Sequence, residues 1–291
     1  MATSRELRSR IKSVKNIQHI TKAMKMVAAA RLRRAQERAA SSKPFAEKIR
    51  QMLANVVAFE KGVSHPLLEV REIKNVAYYI VGADKGLAGA YSSNVIKAAL
   101  AELHKGDNVH IVTVGRKVKD YFKRRDYKIE ESFEGNSERP EYTDAVAIAR
   151  SMSSKYISGE YDEINLVYTQ FFSPISNKPV VTKVLPVEPP TEADLLADGE
   201  EQGATRSSYL FEPQPEDTLK ILVPRYLETI IYTALVQSAA SELGSRMAAM
   251  SSATENSSEI ISQLTLYYNK VRQAGITREI TEIVGGAEAL K

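Results

Sequence analysis

The residues with the clearest chemical potential form a glycine-rich segment, Gly82-Ala83-Asp84-Lys85-Gly86-Leu87-Ala88-Gly89, between a predicted strand and a predicted helix. A turn of this kind can bind a phosphate through backbone N–H groups at the start of a helix. The segment lacks both the G-x-x-x-x-G-K-[ST] pattern of nucleotide-binding loops and the strict G-x-G-x-x-G of dinucleotide-binding folds. It fits better as a tight turn that presents Asp84 and Lys85 outward.

One enzyme class comes close to this segment. The looser G-x-x-x-G-x-G pattern of short-chain dehydrogenases is met at Gly82 and Gly86, but Ala88 replaces its last glycine. Those enzymes also use a Tyr-x-x-x-Lys pair, and none of the 14 tyrosines has a lysine four residues later. A nucleotide-cofactor-binding oxidoreductase with a helical dimerisation arm therefore remains the alternative hypothesis.

Composition excludes several other kinds of site. The chain has no cysteine, so it has no disulfide, no thiolate metal site and no cysteine nucleophile. Its four histidines include no helical His-x-x-x-His pair, and no Ser/His/acid set is identifiable. No uncharged stretch reaches the ~18 residues that a membrane-spanning helix needs. We expect no catalytic, cofactor-binding or metal site.

Basic residues are concentrated at the N-terminus. The chain has a net charge of +4, but residues 1–50 contain 14 Lys and Arg against 3 Asp and Glu. This arm is therefore +11 and the remainder −7. Such an arm can meet nucleic acid, anionic lipid or an acidic protein surface. A basic coiled-coil scaffold for nucleic acid is a third hypothesis, although the arm lacks the interleaved aromatic residues of single-strand binders.

Both ends of the chain have the apolar spacing of long helices. Residues 1–62 are predicted as an N-terminal helix that Pro44 kinks or splits. Its apolar stripe consists of Leu7, Ile11, Val14, Ile17, Ile20, Met24 and Val27. Residues 224–287 are predicted as a C-terminal helix with Pro224 at or just before its first turn.

The C-terminal helix also carries a heptad pattern. Its apolar and small residues alternate in steps of four and three over 35 residues: Val236, Ala240, Leu243, Met247, Met250, Thr254, Ser257, Ile261, Leu264, Tyr268 and Val271. This period predicts a left-handed coiled coil. About 60 helical residues span roughly 90 Å, far more than the ~40 Å diameter of a 150-residue domain. We therefore expect the terminal helices to form a long antiparallel coiled coil that projects as a stalk.

The middle of the chain, residues 70–217, changes period. Apolar runs at Val76–Val81, Val109–Val114, Ile164–Phe171 and Val180–Val187 predict strands. The segments between them predict helices at Ser92–His104, Arg116–Arg125 and Tyr142–Ile157. Alternating strands and helices indicate an α/β, Rossmann-like domain with a parallel or mostly parallel sheet. Residues 188–217 are rich in Pro, Glu, Asp and Gly and are predicted as a surface loop.

Several segments together resemble a known family. They are R-S-R-I-K-S-V-K-N-I-Q-H-I-T-K-A-M-K-M-V-A-A-A-R-L-R-R-A from Arg8, D-K-G-L-A-G-A from Asp84, Y-L-F-E-P from Tyr209, S-R-M-A-A-M-S-S-A-T-E-N from Ser245, and L-T-L-Y-Y-N-K-V-R-Q-A-G-I-T-R-E-I-T-E-I-V-G-G-A from Leu264. The combination resembles the gamma subunit of bacterial-like F-type ATP synthases nearly end to end. The similarity is weaker from about residue 105 to 205.

This resemblance implies a central rotary stalk. In that family the terminal helices form a shaft inside a ring of three alpha and three beta subunits, and the α/β domain contacts the epsilon subunit and the membrane c-ring. Ion flow turns the c-ring and the shaft, and each beta site changes its nucleotide affinity in turn. The gamma subunit is not itself an enzyme and holds no cofactor. The resemblance thus favours an acidic protein partner over nucleic acid, and an indirect association with the membrane.

The resemblance also implies residue roles in partner binding and coupling. Arg272 and Gln273 match positions that hydrogen-bond acidic residues of a beta loop. Lys85, beside Asp84 in the D-K-G-L turn, matches a position facing an acidic beta segment. Met24 matches a shaft position near the same lever, where added charge impairs coupling.

Three further positions, Arg246, Thr277 and Glu279, match sites that are sensitive for coupling or assembly. The absence of cysteine departs from plant plastid members and excludes their thiol control. Because the family match begins by Arg8, we expect no transit peptide and a peripheral location on the cytoplasmic face of a bacterial membrane.

Overall fold

The structure, a computed structural model, describes residues 3–59, 65–103, 108–189 and 215–289. In chain order its elements are α1 (Ser4–Phe59), β1 (Val76–Val81), α2 (Tyr91–Leu103), β2 (Val109–Val114), α3 (Arg116–Lys123), β3 (Ile129–Phe133), α4 (Tyr142–Ile157), β4 (Glu163–Ser173), β5 (Ser176–Leu185) and α5 (Pro215–Ala289). The Y-L-F-E-P segment and most of the predicted 188–217 loop lie outside the described residues.

The chain forms two compact units, and both terminal helices contribute to each. The sheet unit is Ala29–Ser245, and the shaft unit combines Met1–Ala28 with Arg246–Lys291. These boundaries fall inside α1 and α5, so they group the chain differently from the segments 1–62, 70–217 and 224–287. That three-part division stays a prediction.

The sheet unit contains a five-stranded sheet in the order β3-β2-β1-β4-β5. The first four strands are parallel, and β5 pairs antiparallel with β4. This confirms the predicted mostly parallel α/β arrangement. Strand β3 was not predicted, because its sequence I-E-E-S-F carries two charges and all five residues are only partly buried. An edge strand needs no continuous apolar run.

Each face of the sheet is covered by helices. One core contains side chains of α1, α4 and α5, among them Leu53, Ile148, Met152, Leu227 and Ile231, packed against β1, β4 and β5. The other core contains side chains of α2 and α3, among them Val95, Val118 and Phe122, against the opposite face. The terminal helices are therefore built into the sheet unit as well as into the shaft unit.

Two prolines lie inside the terminal helices. Helix α1 passes through Pro44 without splitting, and α5 begins at Pro215 with Pro224 inside it. The predicted helix start at Pro224 was therefore wrong. An interior proline costs about 3 kcal/mol, but Val223 and Leu227 beside it are both 0% exposed. Their burial, worth about 1.5–3 kcal/mol each, offsets that cost.

The β4–β5 hairpin contacts α5 closely, and we call this contact the hairpin clasp. The Thr169 backbone N–H donates to Ser238 Oγ (3.3 Å), and Ser241 Oγ donates to the Thr169 carbonyl (3.3 Å). At the hairpin turn, a Cβ on Gly244 would lie 3.0 Å from the carbonyl oxygen of Pro174. Small residues on this face of α5 thus let strand β4 and the hairpin turn approach the helix closely.

In the shaft unit, α1 and α5 pack against each other in antiparallel orientation. Three side-chain hydrogen bonds join them: Gln18 to Ser258 at 2.6 Å, Thr21 to Thr254 at 2.9 Å, and Lys25 to Ser251 at 2.9 Å. Residue numbers rise along one helix as they fall along the other. This confirms the predicted fold class, an α/β domain with a long antiparallel coiled coil formed by the terminal helices.

The paired faces of the two helices agree unequally with the predicted stripes. On α5 from residue 250 to 271, Met250, Thr254, Ser257, Ile261, Leu264, Tyr268 and Val271 are buried or half-buried, as the heptad predicts. On α1, Thr21 and Ala28 are buried, whereas Ile17, Ile20 and Val27 are 51%, 59% and 51% exposed. Apolar spacing alone did not identify the paired face, because polar and small residues form much of it.

Candidate functional site

The eight predicted partner-binding residues fall in both units. Asp84 and Lys85 belong to the sheet unit. The shaft unit holds the other six, Met24, Arg246, Arg272, Gln273, Thr277 and Glu279.

Asp84 lies at the carboxyl edge of the sheet, where the chain leaves β1. Its Oδ1 accepts a hydrogen bond from the backbone N–H of Arg116, and its Oδ2 accepts from those of Gly135 and Ser137, each at 3.0 Å. We call these three N–H groups the amide cradle. Because the carboxyl ends of parallel strands meet at one edge, the turn after β1, the start of α3 and the loop after β3 converge here. The prediction that the turn presents Asp84 outward was wrong, since Asp84 is 9% exposed.

The amide cradle keeps the Asp84 carboxylate ionised. Burial alone would raise the pKa of Asp84, but the hydrogen bonds from Ser137, Arg116 and Gly135 outweigh it and hold the pKa below its usual value. The site therefore contains a buried negative charge stabilised by backbone dipoles.

Lys85 points outward, and its side chain is 63% exposed. Its Nζ lies 3.4 Å from Oε1 of Glu138, whose side chain is only 12% exposed. The other oxygen of Glu138 forms an ion pair with Arg31 of α1. Glu138 thus connects a basic residue of the turn with one of the helix, leaving both cations near the surface.

A cavity of about 420 Å³ opens beside this ion-pair cluster. Its basic lining residues are Arg31, Arg34, Arg38, Lys85 and Arg139, and its acidic lining residues are Asp84 and Glu138. The lining carries more positive than negative charge, so this surface is suited to an acidic partner.

The structure gives no support to the oxidoreductase alternative. Ligands of doubly wound sheets bind beyond the carboxyl ends of the strands. The cavity lined there by Gly82, Gly115 and Gly135 measures about 120 Å³, below the roughly 300–1,000 Å³ of small-molecule sites. The adjoining cavity of about 420 Å³ is of sufficient size, but half of its lining residues are charged, whereas small-molecule sites are mostly apolar. The carboxylate of Asp84 occupies the backbone N–H groups that a phosphate would need.

The shaft residues lie in two different environments. Arg272, Gln273, Thr277 and Glu279 are exposed, as is every residue of α5 from 272 to 287. This stretch offers its whole circumference to a partner.

The two remaining shaft residues are less accessible. Met24 is half-buried among the residues that face α5. Arg246 is 5% exposed, so its guanidinium lies inside the protein rather than on a contact surface.

The sequence did not single out Arg31 or Glu138, and it placed Ile20 on a packing stripe although the structure exposes it. On α1, Ile20 and Met26 are 59% and 60% exposed, and on α5, Leu266 is 70% exposed. Arg31 lies in the basic arm that charge counting found, but nothing in the sequence places Glu138 beside it, 107 residues away.

The described residues contain no group of three or more His, Asp or Glu side chains arranged to hold a metal ion. None of the helices in that part of the chain is both long enough and apolar enough to cross a bilayer.

The chain is similar to known proteins over its whole length. A family described as ATP synthase matches residues 3–290. The ATP synthase gamma chain of Desulforamulus reducens is 48% identical over 291 residues, covering 100% of both chains. That of Pelotomaculum thermopropionicum is 47% identical with the same coverage. A chain in the central stalk and c-ring structure of Tetrahymena thermophila mitochondrial ATP synthase is 28% identical, with a TM-score of 0.60, over 80% of this chain and 99% of that one.

Proposed function

Because the chain belongs to the ATP synthase gamma-chain family, we propose that it is the central rotary stalk of an F-type ATP synthase. The observation that carries the proposal is the full-length match. The antiparallel pairing of α1 and α5 and the presence of an α/β sheet unit in the same chain support it. Ion-driven rotation of the c-ring turns this stalk, and the stalk changes the conformation of each beta-subunit catalytic site in sequence.

The physical principle is allostery by rigid-body rotation. Three equivalent beta sites differ only in which side of the stalk they face, so an asymmetric stalk biases each site differently. The exposed surfaces of α1 and α5 differ strongly: α1 carries most of the +11 arm, while α5 ends in a stretch exposed on all sides. This difference supports an asymmetric role.

The chain itself is non-catalytic in this proposal, and the beta subunits break and form the bonds of ATP. Supporting this, the carboxylate of Asp84 occupies the backbone N–H groups that a phosphate would need at the carboxyl edge of the sheet.

The partners are three alpha and three beta subunits, the epsilon subunit and the c-ring, with no nucleic acid. Contact with the c-ring makes the protein peripheral to the membrane, and we place it on the cytoplasmic face of a bacterial cell membrane. The basic surface around Lys85 and Arg31 supports an acidic protein partner, and we assign it to an acidic segment of a beta subunit.

Reconstitution tests the proposal directly. The purified chain, mixed with the alpha and beta subunits of its organism, is expected to form an assembly of one copy with three alpha and three beta subunits, and ATPase activity is expected to rise sharply. A chain that stays monomeric and leaves the ATPase rate unchanged would reject the proposal.

Arg272→Ala tests the shaft contact within that assembly. A charged hydrogen bond is worth about 1.5–3 kcal/mol, so we expect coupled ATP turnover to fall at least about tenfold while the sheet unit stays folded. The matched control is Arg278→Ala, because Arg278 lies on the same exposed stretch but forms an ion pair with Glu282 at 3.0 Å. Equal turnover in the two variants would remove Arg272 from the contact.

A further inference from the structure

Asp84 connects three segments that are far apart in sequence. Its carboxylate accepts three backbone hydrogen bonds of 3.0 Å, from Arg116 at the start of α3 and from Gly135 and Ser137 after β3. Its own N–H donates to Ser137 Oγ at 3.0 Å. A side chain that is 9% exposed thus closes the carboxyl edge of the sheet.

The amide cradle depends on unusual backbone conformations on both sides. Gly115 has φ 108° and Gly135 has φ 110°, in the region that favours glycine. A Cβ on Gly115 would lie 2.4 Å from the carbonyl oxygen of Gly82. The three N–H groups therefore converge because of a specific chain path, and the carboxylate that binds them belongs to the chain itself.

Two of the three segments that Asp84 connects, its own turn and the loop after β3, carry side chains that line the basic surface. Lys85 follows Asp84 directly, and Glu138 follows Ser137 directly. Glu138 in turn binds Arg31 of α1. The position of this ion-pair cluster therefore depends on the position of the two segments that Asp84 holds together.

The ion pairs cannot hold this geometry alone. The Lys85–Glu138 pair is 3.4 Å long, and the lysine is 63% exposed. Exposed pairs of this kind contribute little, because side-chain entropy and solvent screening cancel most of their attraction. Charge-assisted hydrogen bonds are roughly twice as strong as neutral ones, and Asp84 accepts three of them in a buried position, so the carboxylate in the cradle dominates.

We propose that Asp84 is the positioning residue of the basic surface: a tethered carboxylate that fills the amide cradle and thereby holds Lys85 and Glu138 in place for the partner. The cradle's ligand is a carboxylate by chemistry, so a free small carboxylate can replace the tethered one. This inference deepens the proposed function and rests on it only for the partner contact.

The first experiment uses the full chain alone and the variants Asp84→Ala and Asp84→Asn. Asp84→Ala empties the cradle, so formate is expected to raise its Tm by about 3–6 °C at ten times its Kd, whereas chloride at equal ionic strength is not. Asp84→Asn keeps the cradle filled with an amide group, so formate is expected to leave its Tm unchanged. Asp217→Ala is the matched control, because Asp217 is exposed and pairs with Lys220 at 2.8 Å.

Hydrogen exchange supplies a second readout on the same samples. The amides of Arg116, Gly135 and Ser137 are expected to exchange about tenfold faster or more in Asp84→Ala, and formate is expected to restore their protection. If Asp84→Ala does not fold, Asp84→Asn decides. The asparagine amide fills the space but has only one accepting oxygen, so part of the cradle loses its acceptor; unchanged exchange at all three amides overturns the proposal. A formate response that is equal in all three variants overturns it as well.

The effect of Asp84 on the partner contact is measured in the reconstituted assembly. Asp84→Ala is expected to lose coupled turnover, and formate is expected to restore it. If formate restores the Tm and the amide protection of the isolated Asp84→Ala chain but not the turnover of the assembly, the positioning role is overturned. Failure of the unmodified chain to assemble rejects the proposed function instead, while the measurements on the isolated chain still decide what fills the cradle.

Discussion

Gly244 and Gly275 lie on the same helix and offer a matched test of the hairpin clasp. A Cβ at Gly244 would lie 3.0 Å from the carbonyl oxygen and 3.2 Å from Cα of Pro174. A Cβ at Gly275 would meet no described atom within 4 Å. Alanine at either position adds the same methyl group and the same helix propensity, so the difference between the two variants reports the contact with the hairpin.

Two contributions of opposite sign to the free energy of unfolding decide the outcome. Replacing glycine by alanine inside a helix stabilises it by about 0.8–1 kcal/mol, so Gly275→Ala is expected to gain that amount. At Gly244 the same gain is opposed by a displacement of the Pro174 backbone, and overpacking of this kind costs about 1–3 kcal/mol. The two variants are therefore expected to differ by about 1–3 kcal/mol, with Gly244→Ala the less stable.

Native-state hydrogen exchange measures both effects in the full chain, because it reports local opening free energies along one helix. Amides of α5 around residue 244, and those of the β4–β5 hairpin, are expected to lose protection in Gly244→Ala. Those around residue 275 are expected to gain protection in Gly275→Ala. Equal gains at both positions would refute the reasoning, since they would mean that the hairpin yields without cost.

Two further predictions follow from polar contacts. The amide cradle holds the pKa of Asp84 below its usual value, so the stabilisation by this carboxylate is present above the unfolded pKa of about 3.9 and is lost as pH falls through the lower folded pKa. The free energies of unfolding of the unmodified chain and of Asp84→Asn should therefore converge below pH 4. A difference between them that stays constant with pH would contradict this. In the shaft unit, the hydroxyls of Thr21 and Thr254 lie 2.9 Å apart, and each also bonds a carbonyl of its own helix, that of Gln18 and that of Met250. Either single change to valine should therefore cost about 1 kcal/mol, and changing both should cost about the same, because the bond between the helices is lost only once. Calorimetry of the four chains measures the coupling, and additive single effects would exclude it.

Much of the architecture could be predicted because its signals are local. The heptad on α5 and the alternation of strands and helices each follow from spacing within a few turns of chain. The start of α5 could not, since Val223 and Leu227 override Pro224 only through burial against a sheet far away in sequence. The start of α5 therefore depends on tertiary packing and not on local helix propensity.

The candidate site was predictable only in part, for the same reason. Lys85 could be found from its turn, but the environment of Asp84 depends on three strands ending at one edge. Its carboxylate meets Gly135 and Ser137 more than 50 residues away. Nothing in the turn itself distinguishes an exposed aspartate from one that a distant loop encloses.

The polar pairing of α1 with α5 also has a consequence for a chain that has not yet assembled with other subunits. Its contacts include hydroxyl and amide groups that water can replace, while large apolar side chains such as Ile20 and Leu266 face outward. In a copy that contacts no other subunit, these apolar side chains face water, and an exposed apolar surface of this kind promotes self-association.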